Sequence, residues 1–280
     1  MKNSQTMPAH KVFFISDQTG VTVETLGQSL LEQFEGKEFD TVTVPFVDSV
    51  RKAKQVALRI DSSALEQGRR PIVFASLVQD EVRAVLMRSN GLVLDFFEAF
   101  LAPLEAELES VSSHTLRRHH GIDDSSGYNQ RIEATNFALT SDDGHGADLY
   151  PRADIILVGV SRSGKTPTCL YLALQYGIFA ANYPLAGDEF DRPSLPSQLL
   201  PFESKLYGLT INPERLQSIR RERRAEGKYA SAGQVSFELR AAERLFRRHG
   251  IPVIDTTHSS IEEIASTILS ETGLVRRVRA

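Results

Sequence analysis

One stretch near the middle of the chain limits its fold more than any other. Gly159-Val160-Ser161-Arg162-Ser163-Gly164-Lys165-Thr166 fits G-x-x-x-x-G-K-[ST] without exception. The apolar run IILV precedes it, and a helix-forming stretch up to Gly177 follows. The pattern carries weight only between a strand and a helix, and both flanks are present. Phosphate oxygens need several donors aimed at one point. Glycines let the backbone curl so that successive N–H groups converge there, and the helix N-terminus adds its positive end. In such a loop Lys165 reaches the terminal phosphates and Thr166 ligates Mg²⁺. Arg162 offers phosphate a bidentate fork. Pro167 falls in the first helical turn, where its missing N–H is harmless. The bland reading is a glycine-rich turn that binds nothing. A chance match that also has both flanks is rare enough that phosphate binding is expected.

The rest of the pattern is α/β. Residues 11–15 (KVFFI), 41–47 and 71–75 (PIVFA) read as strands, with helices over 21–34 and 50–67 between them. Residues 91–97 fit strand or helix. A second run holds strands at 155–160, 178–183, 206–211 and 251–254. Its helices are 166–176, 213–224, 236–249 and one opened by Ser260 and Glu263 as a capping box. The expected fold is therefore α/β: a C-terminal P-loop domain, mononucleotide-kinase-like in outline, with an N-terminal α/β unit. Polar, turn-rich residues 105–130 divide the chain into 1–104, a linker or functional loop, and 131–280. No internal repeat is visible.

Composition closes off several classes. At 280 residues the chain can bury a core without disulfides or metals, and its single cysteine, Cys169, excludes an internal disulfide. A net charge of −4 gives no support to nucleic-acid binding. The polar start MKNSQTMPAH is unlike a signal peptide, and no apolar run is long enough to span a membrane, so a cytoplasmic protein is expected. Cys169 reads as a small packing residue. His114, His119, His120 and His145 have neither a cysteine nor a helical i, i+4 histidine partner beside them, so zinc is not expected.

Other polar residues each admit two readings. Asp17, Thr19 and Gly20 form a strand-to-helix turn, either a second phosphate or target-docking site or a plain helix entry with Asp17 and Thr19 as caps. Arg215, Arg220, Arg221, Arg223 and Arg224 crowd one helix with Glu214 and Glu222. Most read as a solvated, salt-bridged face, and one or two as phosphate contacts. Asp255 ends a strand and either holds Mg²⁺ through water or caps a turn. Asp95 and Asp142-Asp143-Gly144 could accept a proton from an attacking hydroxyl, though Asp-Asp-Gly reads first as a turn.

Beyond the loop, longer stretches resemble a known family. ADIILVGVSRSGKTPT, ANYPL, KLYGLTI with PERL, IRRERR, YAS, IPVIDTT and SIEEIA are similar to the bacterial phosphoenolpyruvate synthase regulatory proteins, relatives of the plant pyruvate, phosphate dikinase regulatory protein. FFISDQTGVTVETLGQSLLEQF and RIEATNFALTSDDG extend the likeness over nearly the whole chain. Ser-Gly-Lys at 163–165 resembles the synthase branch; the dikinase branch more often has Thr-Ser-Lys. The resemblance implies two opposed activities on one protein. ADP donates its β-phosphoryl to a target threonine and inactivates the target, and inorganic phosphate later removes that phosphoryl as pyrophosphate. It implies ADP, Mg²⁺ and phosphate as ligands and phosphoenolpyruvate synthase as partner. The loop motif alone leaves open a small-molecule kinase, the same chemistry on the dikinase, and a nucleotide-sensing module without transfer. A homo-oligomer is equally open.

Overall fold

The computed structural model describes residues 9–113, 125–144, 146–192, 194–223 and 227–277. It divides into two units, Met1–Arg118 and His119–Ala280.

The first unit runs β1 (His10–Ser16), α1 (Val21–Leu31), β2 (Phe39–Val44), α2 (Val50–Gln67), β3 (Ile72–Ser76), α3 (Asp80–Leu86), β4 (Leu92–Asp95) and α4 (Phe96–Leu108). All strand pairs are parallel, in the order β2-β1-β3-β4. A parallel sheet with helices on both faces needs strands apolar throughout, and β1 meets this need. Phe13 and Ile15 pack into one cluster with Val56 and Ile60 of α2. Val12 and Phe14 pack into another with Val23 of α1 and Phe74 of β3. Gly27 lets α1 lie on the rings of Phe14 and Phe74; a Cβ there would come within 2.4 Å of the first. The ambiguous stretch 91–97 proves to be both elements: β4 runs straight into α4, whose first turn is capped by the carboxylate of Asp95 (3.0 Å from Glu98 N).

The second unit runs α5 (Ser125–Thr140), β5 (Ile155–Gly159), α6 (Lys165–Tyr176), β6 (Ala180–Pro184), β7 (Leu206–Thr210), α7 (Pro213–Arg223), α8 (Ala232–His249), β8 (Val253–Asp255) and α9 (Ile261–Thr272). Its sheet is again all parallel, ordered β6-β5-β7-β8. Two helices, α3 and α5, stand where the pattern suggested none. The capping box of Ser260 and Glu263 opens α9 as expected.

The sequence shows no repeat, yet the topology repeats. In each sheet the first strand has the second on one side and the third on the other. In each, the helix after the first strand begins at a glycine in the left-handed region, Gly20 (φ 86°) and Gly164 (φ 91°), with no side-chain cap. Strand order reverses beside β5, so the crevice at its carboxyl end is where a sheet of this kind takes ligands. Residues 160–164 lie there.

Gly159 sets how closely that loop can approach the sheet. It pairs with Leu209 of β7, and a Cβ would sit 2.5 Å from the Leu209 carbonyl and 2.9 Å from Ser163 Oγ. Gly159→Ala is expected to lower stability by about 1–3 kcal/mol, the usual range for overpacking. A shifted urea midpoint at unchanged slope would register it; an unchanged midpoint would mean the strands separate at no cost.

Candidate functional site

The loop from β5 to α6 is held from within. The buried Lys165 folds back and donates from Nζ to Val160 O at 2.7 Å. Ser163 Oγ donates to the same carbonyl at 3.0 Å. Burial pushes the ammonium down to about 8, against the fields of Asp143 and Asp142, which favour its charged form. Arg162 lies at the exposed apex with a φ of 73°. It makes no hydrogen bond or ion pair among the described residues, so its guanidinium is available to an arriving anion.

Thr166 meets a carboxylate. Its Oγ1 donates to Asp142 Oδ1 at 2.8 Å. Asn182 of β6, also buried, donates from Nδ2 to that same oxygen and lies 3.3 Å from Thr166 Oγ1. Asn182 Oδ1 accepts from Asp143 N at 3.0 Å. One asparagine thus fixes the turn Asp142–Gly144 against the first turn of α6. The adjoining hydroxyl and carboxylate suit a hard cation such as Mg²⁺, which takes few protein oxygens and fills its shell with water and phosphate. Among the described residues no group of three or more His, Cys, Asp or Glu side chains could hold a metal alone.

Beneath the loop lies Arg220, fully buried. Its Nε and Nη2 donate to Ser161 O at 3.3 and 3.1 Å, and Nη1 donates to Tyr229 O at 3.1 Å. Nη2 also pairs with Glu238 of α8 at 2.6 Å. The guanidinium lies 4.4 Å from the centre of the Tyr229 ring, and the Tyr229 hydroxyl shares a 3.0 Å hydrogen bond with Ser161 Oγ. Arg220 is therefore a strut that fixes the loop backbone. Thr256 adds a second brace, donating to Ser163 O at 3.3 Å.

The other candidates sit elsewhere. Asp255 accepts from Thr257 N at 2.9 Å and from the Thr257 hydroxyl, closing a turn after β8. Its strand is separated from β5 by β7, and the carboxylate bonded to Thr166 is Asp142. Arg215, Arg221 and Arg223 are exposed on α7. Cys169 is buried, donates to Ala181 O at 3.4 Å, and has its thiol pushed well up by burial. In the first unit Asp17 does not cap α1. It is buried and accepts from Val78 N at 2.8 Å, and desolvation raises its carboxyl. Asp95 is likewise raised by burial and is committed to the α4 cap. Arg224, His114, His119, His120 and His145 lie outside the described residues.

Residues 12–269 match the family model described as kinase/pyrophosphorylase. The chain belongs to that family. A relative from Stutzerimonas stutzeri (strain A1501) is 53% identical over 95% of this chain and 98% of its own length. One from Ectopseudomonas mendocina (strain ymp) is 52% identical over 95% and 98%. One from Pseudomonas aeruginosa (strain LESB58) is 52% identical over 95% and 97%. Each carries the name "Putative phosphoenolpyruvate synthase regulatory protein". Membership in the kinase/pyrophosphorylase family supports a phosphotransferase activity. Among the described residues no helix is long and apolar enough to cross a membrane.

Two outcomes are expected. Arg220→Met removes one partner of a buried pair and leaves Glu238 behind, which costs about 3–5 kcal/mol; chemical unfolding measures it. Lys165 gives binding a pH signature. With a free pKa of about 8, the lysine loses its charge as pH rises through that value. A bound phosphate favours the charged form and raises the pKa. Binding of a phosphate-bearing ligand at this lysine should therefore take up a proton above about pH 8 and weaken as pH rises further. Calorimetry in two buffers of different ionisation enthalpy reads the uptake, and Lys165→Met should abolish it.

Proposed function

We propose that this chain is a phosphotransferase acting in two directions on phosphoenolpyruvate synthase. In one direction the β-phosphoryl of ADP passes to a threonine hydroxyl of the synthase, leaving AMP and an inactive phosphoprotein. In the other, an oxygen of inorganic phosphate attacks that phosphothreonine. The threonine oxygen leaves with a proton, and pyrophosphate forms. The observation that carries this reading is the constellation at one helix N-terminus: the 159–166 loop, the buried Lys165, and Thr166 beside Asp142.

The chemistry asks mainly for charge neutralisation and in-line placement. Backbone N–H groups of the loop and the positive end of α6 cradle the phosphate. Lys165, released from Val160 O, faces the phosphoryl that moves. Mg²⁺ held by Thr166 and Asp142 would neutralise developing charge on the phosphate oxygens. Arg162, exposed at the loop apex, can close over the anion. With phosphate in place of ADP, the same donors present the attacking oxygen, so one cradle serves both directions. The names of the relatives support the synthase as target, and Ser-Gly-Lys at 163–165 supports it over the dikinase.

The test is intact-mass analysis of the synthase, first charged at its catalytic histidine, after incubation with this protein and ADP or ATP. A threonine phosphate formed with ADP and removed by phosphate with pyrophosphate release establishes the reading. Transfer to neither synthase nor dikinase overturns it and brings a small-molecule kinase forward. Lys165→Met is expected to lower both activities together, by about 10²–10³-fold, as loss of one preorganised donor does. Loss of one activity alone would overturn the shared cradle. Asp142→Asn should raise the Mg²⁺ concentration needed for half-maximal rate in both directions.

A further inference from the structure

The second unit carries a basic groove with no part in the loop chemistry. Arg192, Arg244, Arg247 and Arg248 line a cavity of about 590 Å³ together with one carboxylate, Asp191, with Phe190 and Leu245 among its apolar walls. Arg192 comes from the chain just beyond β6. The other three arginines come from α8, where the exposed Arg240 extends the row by one turn. A second cavity, of about 500 Å³, is lined by three carboxylates, Asp143, Asp188 and Glu189, by Tyr183 and Gln198, and again by Arg192. Arg192 thus joins the two spaces. The second reaches Asp143, whose neighbour Asp142 is bonded to Thr166.

Ordinary helix electrostatics does not account for this row. Basic residues in the last turn of α8 complement the helix dipole, which covers Arg247 and Arg248. Arg240 and Arg244 lie earlier, and Arg192 lies on another segment. Like charges at i, i+4 cost a helix a few tenths of a kcal/mol each, and 240/244 and 244/248 are such pairs. The side chains of the two acids of α8 are engaged elsewhere. Glu238 is bound to Arg220 and Gln234, and Glu243 accepts from Thr210. Asp188, paired with Arg192 at 3.2 Å, is largely exposed, so that pair is readily exchanged. Four arginines against Asp191 leave this lining positive on a chain whose net charge is −4.

We infer that this groove docks an acidic segment of the protein substrate. The inference rests on the protein-substrate reading above. An acidic polypeptide matches the charge, the concavity and the apolar walls. A nucleic acid would call for a basic surface well beyond this one groove.

The test compares wild type with Arg244→Glu/Arg247→Glu, both exposed positions on α8 outside the loop, after melting curves show that the fold is kept. With the synthase as substrate, the KM for the protein should rise about tenfold at low salt, with kcat and ADP affinity unchanged. The difference should shrink as salt screens it. An unchanged KM overturns the inference. A second arm needs no catalysis: fluorescence anisotropy of a labelled Asp/Glu-rich peptide, with an RNA oligomer in parallel. Peptide binding by wild type that the variant loses supports the groove. Equal binding by both proteins, no binding by either, or preference for the RNA overturns it. Failure of the phosphotransferase reading has its own mark: no transfer to the synthase while the wild type still captures the peptide.

Discussion

The carbonyl of Ser161 accepts two N–H groups from a guanidinium that has no contact with water. At that point α7 supplies Arg220, α8 supplies Glu238, the Tyr229 segment supplies a carbonyl and a ring, and the loop supplies its backbone. A buried charge is tolerated only when it is paired and its donors are used. Lysine would not serve as well, because a point charge cannot span two carbonyls and a carboxylate at once. The arginine ties the curl of the 159–166 loop to the packing of two helices. The loop backbone is fixed before any ligand arrives, which is the preorganisation that the proposed phosphoryl transfer would use.

Much of the fold was legible because it is written locally. β1 and β5 are apolar runs, α2 and α9 carry serine caps, and the Gly-Lys-Thr loop is a pattern within a single stretch. What could not be read depends on register and burial. Asp142 looks like part of an Asp-Asp-Gly turn, and it is one. Its place beside Thr166 arises because β6 pairs with β5 and brings Asn182 under that turn. No spacing in the sequence records this. Asp255, which the pattern offered for the same task, faces Thr257.

Arg220 shows a signal that was present and faint. Among five arginines on or beside α7, it stands four residues after the buried Leu216 and shares its inward stripe, whereas Arg221 and Arg223 face outward. Helical phase separates them, but the crowding of charge around it masks the phase. The duplicated topology was hidden for another reason. The two first turns keep a left-handed glycine at the helix entry, yet Val21 stands after Gly20 where Lys165 stands after Gly164. The backbone rule survived while the chemistry diverged.

The inward fold of Lys165 separates arrival from residence. Because its ammonium is buried against Val160 O, it projects little field into solvent and does little to draw anions from a distance. Long-range attraction falls to the exposed Arg162 at the loop, whose pull ionic strength weakens. Once an anion is seated, the lysine meets it in a space that salt scarcely reaches. Encounter rates should therefore follow the ionic conditions of the cell closely, while the lifetime of the bound anion stays nearly indifferent to them.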